Sequence, residues 1–177
     1  MIINHIEPTA EEAAQLAEMM SAKYPVTVGT VAKKLEMSEL EAARRMPTDM
    51  IQFVKGEMTE RFDELWEALC DWEKATLFII HGGHVFEIAA KLSKGKRAQG
   101  YYNILSKDAV VGGHLNYENV AAAAFMTMPF MGRESLSVQF FDNDGKCSFS
   151  VYAGRENHKI IESVKEAFMR DRESFCA

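Results

Sequence analysis

An α+β fold built on antiparallel strands is what this sequence predicts, and three observations predict it. Capping signals followed by apolar residues at helical spacing crowd into the residues before Trp72. Between Ala75 and Ala153 the apolar runs are short and cut by Gly, Asn and Asp turns. A helical period returns only after Gly154. Consecutive strands with helices at both ends are the α+β pattern.

The elements follow in order. Thr9-Ala10-Glu11-Glu12 has the form of a capping box, with Ala13, Leu16, Ala17 and Met20 behind it at helical spacing and Pro25 as the stop. Thr27 caps a second helix, Val28 to Leu35, and Ser38-Glu39-Leu40-Glu41 opens a third that Pro47 closes. Met50 to Lys55 reads as a short strand. Thr59 is the expected cap of a helix whose Phe62, Leu65, Trp66 and Leu69 form an apolar stripe. Ala75 to Ile80 and Val85 to Leu92 flank His81-Gly82-Gly83-His84, a hairpin turn. Ser93 to Arg97 reads as a basic turn, Ala98 to Leu105 as a strand, and Ala109 to Leu115 as the next. Val120 to Met128 is apolar throughout and reads as a buried strand that Pro129 breaks. Leu136 to Phe141 and Lys146 to Ala153 pair across the turn Asp142-Asn143-Asp144-Gly145. The last helix is expected from about Asn157 to Arg172. The organisation is one domain, with a helical segment over 1–49 and a β-rich core plus C-terminal helix over 50–177.

Composition narrows the function. The chain of 177 residues is 47% hydrophobic, with eleven Phe and eleven Met, so it can bury a core without staples. A net charge of −6 argues against a nucleic-acid backbone as the main partner. The second and third helices resemble a helix-turn-helix, but Glu39 and Glu41 stand where a reading helix would meet the polyanion. Cys70, Cys147 and Cys176 are odd in number and lack C-x-x-C spacing, which indicates neither a disulfide framework nor a zinc site. The stretch Met1 to Glu12 lacks the features of a signal peptide, and no apolar run approaches a spanning length. A cytoplasmic protein without membrane insertion is expected.

No zincin motif, nucleophile elbow, P-loop or dinucleotide fingerprint is present. Asp142 and Asp144 lack the rest of a calcium loop, and turn chemistry explains them. The informative stretch is Val110-Val111-Gly112-Gly113-His114-Leu115-Asn116-Tyr117. His114 and Tyr117 can both reach one metal centre, or one can stand by for the other; a plain loop with a satisfied histidine suits the pattern too. His81 and His84 share a Gly-Gly turn, where backbone can approach a flat ligand. A ligand that wants an apolar slot, an axial His or Tyr, and Lys or Arg for its carboxylates is haem. Composition allows that reading without demanding it.

Phe62-Asp63-Glu64-Leu65-Trp66-Glu67-Ala68-Leu69-Cys70-Asp71-Trp72 resembles the helix segment of the HutX/ChuX family of intracellular haem-utilisation proteins. Gly100-Tyr101-Tyr102-Asn103, Gly113-His114-Leu115 with Glu118-Asn119, Phe130-Met131-Gly132, Phe140-Phe141-Asp142 through Gly145, and Gly154-Arg155 with His158 match it also. Several are shared with the larger HemS/ChuS proteins, and together they span about residues 26 to 161. The resemblance implies large antiparallel sheets in a split-barrel-like arrangement, a homodimer, and a haem carrier that hands haem b to a degrading enzyme. The alternative is a haem-degrading enzyme of the same fold. The family's two haem histidines fall by position on His114, inside a matching Gly-His-Leu, and on His81. There the following Gly82-Gly83-His84 departs from the family, and His84 can substitute. Tyr117 stays open as a tyrosinate ligand, and Arg97 in the basic turn is a candidate partner for a propionate.

Overall fold

The computed structural model describes residues 3–21 and 25–177. Three short helices come first: α1 (Ala10–Ser21), α2 (Val28–Leu35) and α3 (Glu39–Arg45). Their starts follow from local chemistry. Thr9 and Glu12 cap each other reciprocally, as do Thr27 and Thr30. At Ser38 only half the expected box forms. Its hydroxyl accepts from Glu41 N, but the Glu41 carboxylate turns to Arg45 and Arg44, which hold it below the usual carboxylate range. The expected stop of α1 at Pro25 involves residues 22–24, which lie outside the described residues.

A six-stranded antiparallel sheet follows, in the order β1-β7-β8-β9-β2-β3. Its members are β1 (Ile51–Phe53), β2 (Ala75–His81), β3 (His84–Ala90), β7 (Ala122–Phe130), β8 (Arg133–Phe141) and β9 (Cys147–Ala153). Between β3 and β7 the chain leaves to build a second, three-stranded sheet from β4 (Lys96–Ala98), β5 (Tyr101–Ile104) and β6 (Gly113–Leu115). β10 (Arg155–Glu156) and β11 (Lys159–Ile160) make a small hairpin. The large sheet stays open, with β1 and β3 as its edges.

The strand period of two decides what each face carries. On β7, Ala122, Ala124, Met126 and Met128 meet the helical unit, and the small side chains of Ala122 and Ala124 admit it close to the sheet. Ala123 and Phe125 point to the other core, with Leu136, Val138 and Phe140 of β8. Helices α4 (Met58–Asp71) and α5 (Glu162–Cys176) cover that side with Phe62, Leu65, Trp66, Leu69, Val164 and Phe168. β7 is thus buried on both faces, which is why it reads as a continuous apolar run.

Several boundaries differ from expectation for one shared reason. Gln99-Gly100, Met131-Gly132 and Asn157-His158 all have positive φ at both positions and close two-residue hairpins. The expected turn at Ser93–Arg97 and the strand Ala98–Leu105 therefore become β4, a turn at Gln99-Gly100, and β5. The last helix starts at Glu162 rather than Asn157, because β10–β11 comes first. The expected strand from Ala109 shrinks to Gly113–Leu115. Pro129 does not break β7. It pairs with Glu134 next to the closing pair Phe130–Arg133, and its missing N–H falls on the flank where β1 has already ended. Helix α4 starts at Met58, with no cap bond from Thr59, whose carbonyl accepts from Arg97 instead.

Candidate functional site

The hairpin β2–β3 turns through Gly82 and Gly83, at φ 57° and 81°. His81 and His84 stand directly opposite each other as its last pair. By strand parity they share a face with Ile79 and Phe86 and, further in, with Leu77 and Ile88. Leu77 belongs to the α4 core, so both imidazoles lie on the α4 side of the sheet. Both are exposed, and among the described residues neither side chain has a hydrogen-bond or ring partner.

The hairpin tip lies toward the same end of the sheet as the turn Asp142–Gly145. β2 pairs antiparallel with β9 through Phe78 and Ser150, so Ile79 to His81 run on toward Cys147, where β9 begins. At that end Asn143 Nδ2 donates to Glu118 O, at 3.1 Å, and so ties down the 3-10 turn Tyr117–Asn119. The Gly-His segment precedes this turn. The turn that follows His114 is therefore tied to the end of the sheet where the β2–β3 hairpin closes, although no hydrogen bond or ring contact joins the hairpin histidines to His114 among the described residues.

His114 sits on β6, whose first residue, Gly113, has φ 150°. Register pairs His114 with Asn103 on β5, and its Nδ1 lies 2.5 Å from Asn103 Oδ1. Tyr101, two residues along on the same face, presents its ring to the imidazole at 6.1 Å and 69°. The ring of His114 is exposed, and Nε2 has no partner among the described residues.

Tyr117 is half-buried. Its ring packs on Phe62 with centroids 6.5 Å apart, and the Arg97 guanidinium lies over it at 4.0 Å. Arg97 is itself engaged: Nε donates to both oxygens of Asp63 at 2.8 Å, and Nη2 to Thr59 O at 2.7 Å. The cation expected in a free basic turn is a strand residue held by α4. Other donors are withheld from a metal. Burial pushes the thiols of Cys70, Cys147 and Cys176 up to about 12, and it raises the Tyr102 hydroxyl, whose oxygen accepts from Gly95 N. Among the described residues no group of three or more His, Cys, Asp or Glu is placed to hold a bare metal ion.

Apolar surface gathers near the imidazoles. Phe86 is exposed on the histidine face of the hairpin, and Tyr101, Leu105 and Val110 around the small sheet; Leu105 is 72% exposed and Val110 69%. Bare imidazole nitrogens beside uncovered apolar side chains fit a flat, apolar, metal-bearing ligand better than a hydrated ion. The sequence reading singled out His81, His84, His114, Tyr117 and Arg97, and missed the part of Asn103. Its signals are its place at the end of the Gly100-Tyr101-Tyr102-Asn103 motif and its alternation, with Tyr101, around buried Tyr102 on a strand.

A cavity lies on the opposite face. It measures about 680 Å³, spans β8, β9, β2 and β3 below α2, and is lined by Phe78, Ile80, Val85, Gln139 and Tyr152 among others. None of the five candidate residues borders it.

The family model for haem utilisation ChuX/HutX matches residues 56–170. The intracellular heme transport protein HutX of Vibrio cholerae serotype O1 is 32% identical over 160 residues, covering 90% of this chain and 81% of that one. The solved structure of the heme binding protein ChuX superposes with a TM-score of 0.77 at 26% identity, covering 90% of this chain and 97% of that chain. Apo-PhuS, a heme-binding protein from Pseudomonas aeruginosa, superposes with a TM-score of 0.75 at 17% identity over 97% of this chain; that match spans 51% of its own length and speaks for the fold.

Proposed function

The chain belongs to the haem-utilisation ChuX/HutX family, and from that premise we propose that it binds haem b in the cytosol, keeps it intact and passes it to a haem-degrading enzyme. The observation that carries the reading is the exposed imidazole of His114, held through Nδ1 by Asn103 with Nε2 turned to no other group among the described residues. Iron takes one imidazole nitrogen while a hydrogen-bonded neighbour holds the other. His81, with His84 across the turn, is the second proposed ligand. Tyr117 is the alternative, and Arg97 Nη1, which has no partner among the described residues, is the proposed contact for a propionate. No described helix is long and apolar enough to cross a membrane, which is consistent with the cytosolic assignment.

A titration with ferric haem, followed by a reductant under air, tests this. A carrier gives saturable binding and keeps its Soret band; bleaching to a linear tetrapyrrole with iron release would establish the degrading enzyme instead. Haem dimethyl ester should bind more weakly than haem, and equal affinities would remove Arg97 from the site.

We also propose that the molecule is a homodimer. The outer face of β8, β9, β2 and β3 is left open, and Ile80, Val85, Phe130 and Met131 are exposed at the ends of its hairpins. An apolar sheet face and an uncovered edge strand are normally covered. Sedimentation at micromolar concentration should give about twice the 19.9 kDa of one chain. A monomer throughout that range would count against it.

A further inference from the structure

We infer that Asn103 is a positioning residue: it fixes the tautomer of His114 and so leaves Nε2 as the bare nitrogen offered to iron. The inference rests on the haem-ligand reading of His114. Asn103 Nδ2 lies 3.2, 3.0 and 2.9 Å from the carbonyl oxygens of Lys96, Ala98 and Tyr101. Carbonyl oxygens only accept, so the atom that faces three of them is the amide nitrogen. Flipping the amide would set Oδ1 against three acceptors and leave its N–H groups aimed at the imidazole. The backbone of the β4–β5 hairpin thereby settles the O/N assignment that an isolated asparagine leaves open.

Oδ1 is then the atom that meets His114 Nδ1. An amide oxygen can only accept, so Nδ1 carries the proton. A neutral imidazole has one N–H, so Nε2 keeps its lone pair. A solvated imidazole favours the opposite tautomer, with the proton on Nε2 and no lone pair there for iron. Cross-strand register puts Asn103 directly opposite His114, and Tyr101 flanks the ring at 6.1 Å. The tight turn at Gln99-Gly100, with both φ positive, brings the Ala98 and Tyr101 carbonyls to the same amide. The ligand geometry is thus set by the backbone of a hairpin through one side chain.

Long-range proton–nitrogen correlation spectra of the haem-free protein read the tautomer directly. The expected result is a protonated Nδ1 and a bare Nε2 at His114. Asn103→Leu removes the acceptor; it should lose that preference and bind haem about 10-fold more weakly. Asn103→Asp keeps an acceptor oxygen but gives up the Nδ2 clamp. Its second oxygen then faces three carbonyls, so it should lose some affinity, yet it should keep the tautomer and bind haem more tightly than Asn103→Leu. A role in holding the hairpin alone would weaken both variants alike, so equal losses would overturn the inference. A wild-type spectrum with the proton on Nε2 would overturn it too, as would wild-type affinity in Asn103→Leu. His114→Ala run alongside separates the two readings. If it leaves haem binding intact, the ligand reading falls, and the haem-free spectra alone decide whether Asn103 sets the tautomer.

Discussion

His114→Ala is expected to lower haem affinity by at least about 100-fold, on the order of 3 kcal/mol, and to shift the ferric Soret band. The reason is in the placement. His114 is the one candidate imidazole with a fixed second partner, Asn103 Oδ1 at 2.5 Å. A ligand held in place loses less freedom on binding than a mobile one. His81 and His84 have no such partner among the described residues, and they face each other across a Gly-Gly turn. Removing His81 alone should therefore cost no more than removing His114, and less if His84 takes over. Added imidazole should restore the Soret position in His114→Ala by filling the vacated place. Tyr117 offers a clean contrast. If its phenolate were the ferric ligand, Tyr117→Phe would abolish a tyrosinate charge-transfer band that His114→Ala leaves in place. Wild-type affinity and spectra in the His114 variant would sink the assignment.

What the sequence disclosed and what it withheld divide along the range of the interactions. The caps at Thr9 and Thr27 were legible because a reciprocal cap needs residues only three apart. So were the Gly82-Gly83 and Asp142–Gly145 turns, since Gly and Asp carry their conformational preferences locally; Asp142 Oδ1 accepts from Asp144 N and Lys146 N as an Asx turn should. The turns at Gln99 and Met131 were hidden because side chains that rarely adopt positive φ do so there. The sheet order was hidden for another reason. Ala75 pairs with Ala153, and nothing local marks that partnership. The site divides the same way. His114 announces itself behind two glycines, and the family resemblance, with its haem-carrier reading, was legible from motif order. Asn103 acquires its part only through the β5–β6 register, which periodicity does not specify. That the turn behind His114 is tied to the end of the sheet where His81 lies follows only once β2 is known to pair with β9.

Phe62→Ala should cost about 3–5 kcal/mol and lower the melting temperature by on the order of 10 °C. Phe62 is fully buried on α4 and touches four other rings: Tyr102 at 5.7 Å, Phe140 at 6.0 Å, Trp66 at 6.3 Å and Tyr117 at 6.5 Å. Its loss opens a cavity between α4, the large sheet and the small sheet. Two of those neighbours lead to the candidate site. Tyr102 lies on β5 directly beside Asn103, and Tyr117 closes the segment that carries His114. The variant should therefore weaken haem binding even at temperatures where it stays folded. Phe168→Ala supplies the comparison. Phe168 is equally buried, but its ring neighbours are Trp72 and Phe125, on the side of the core away from the small sheet. It should cost a similar amount of stability and leave the affinity of the folded protein unchanged. Thermal unfolding and haem titration of both variants separate packing from function. If the two lose affinity equally, or if Phe62→Ala binds as wild type, then the aromatic cluster supports the fold without holding the ligand segment in place.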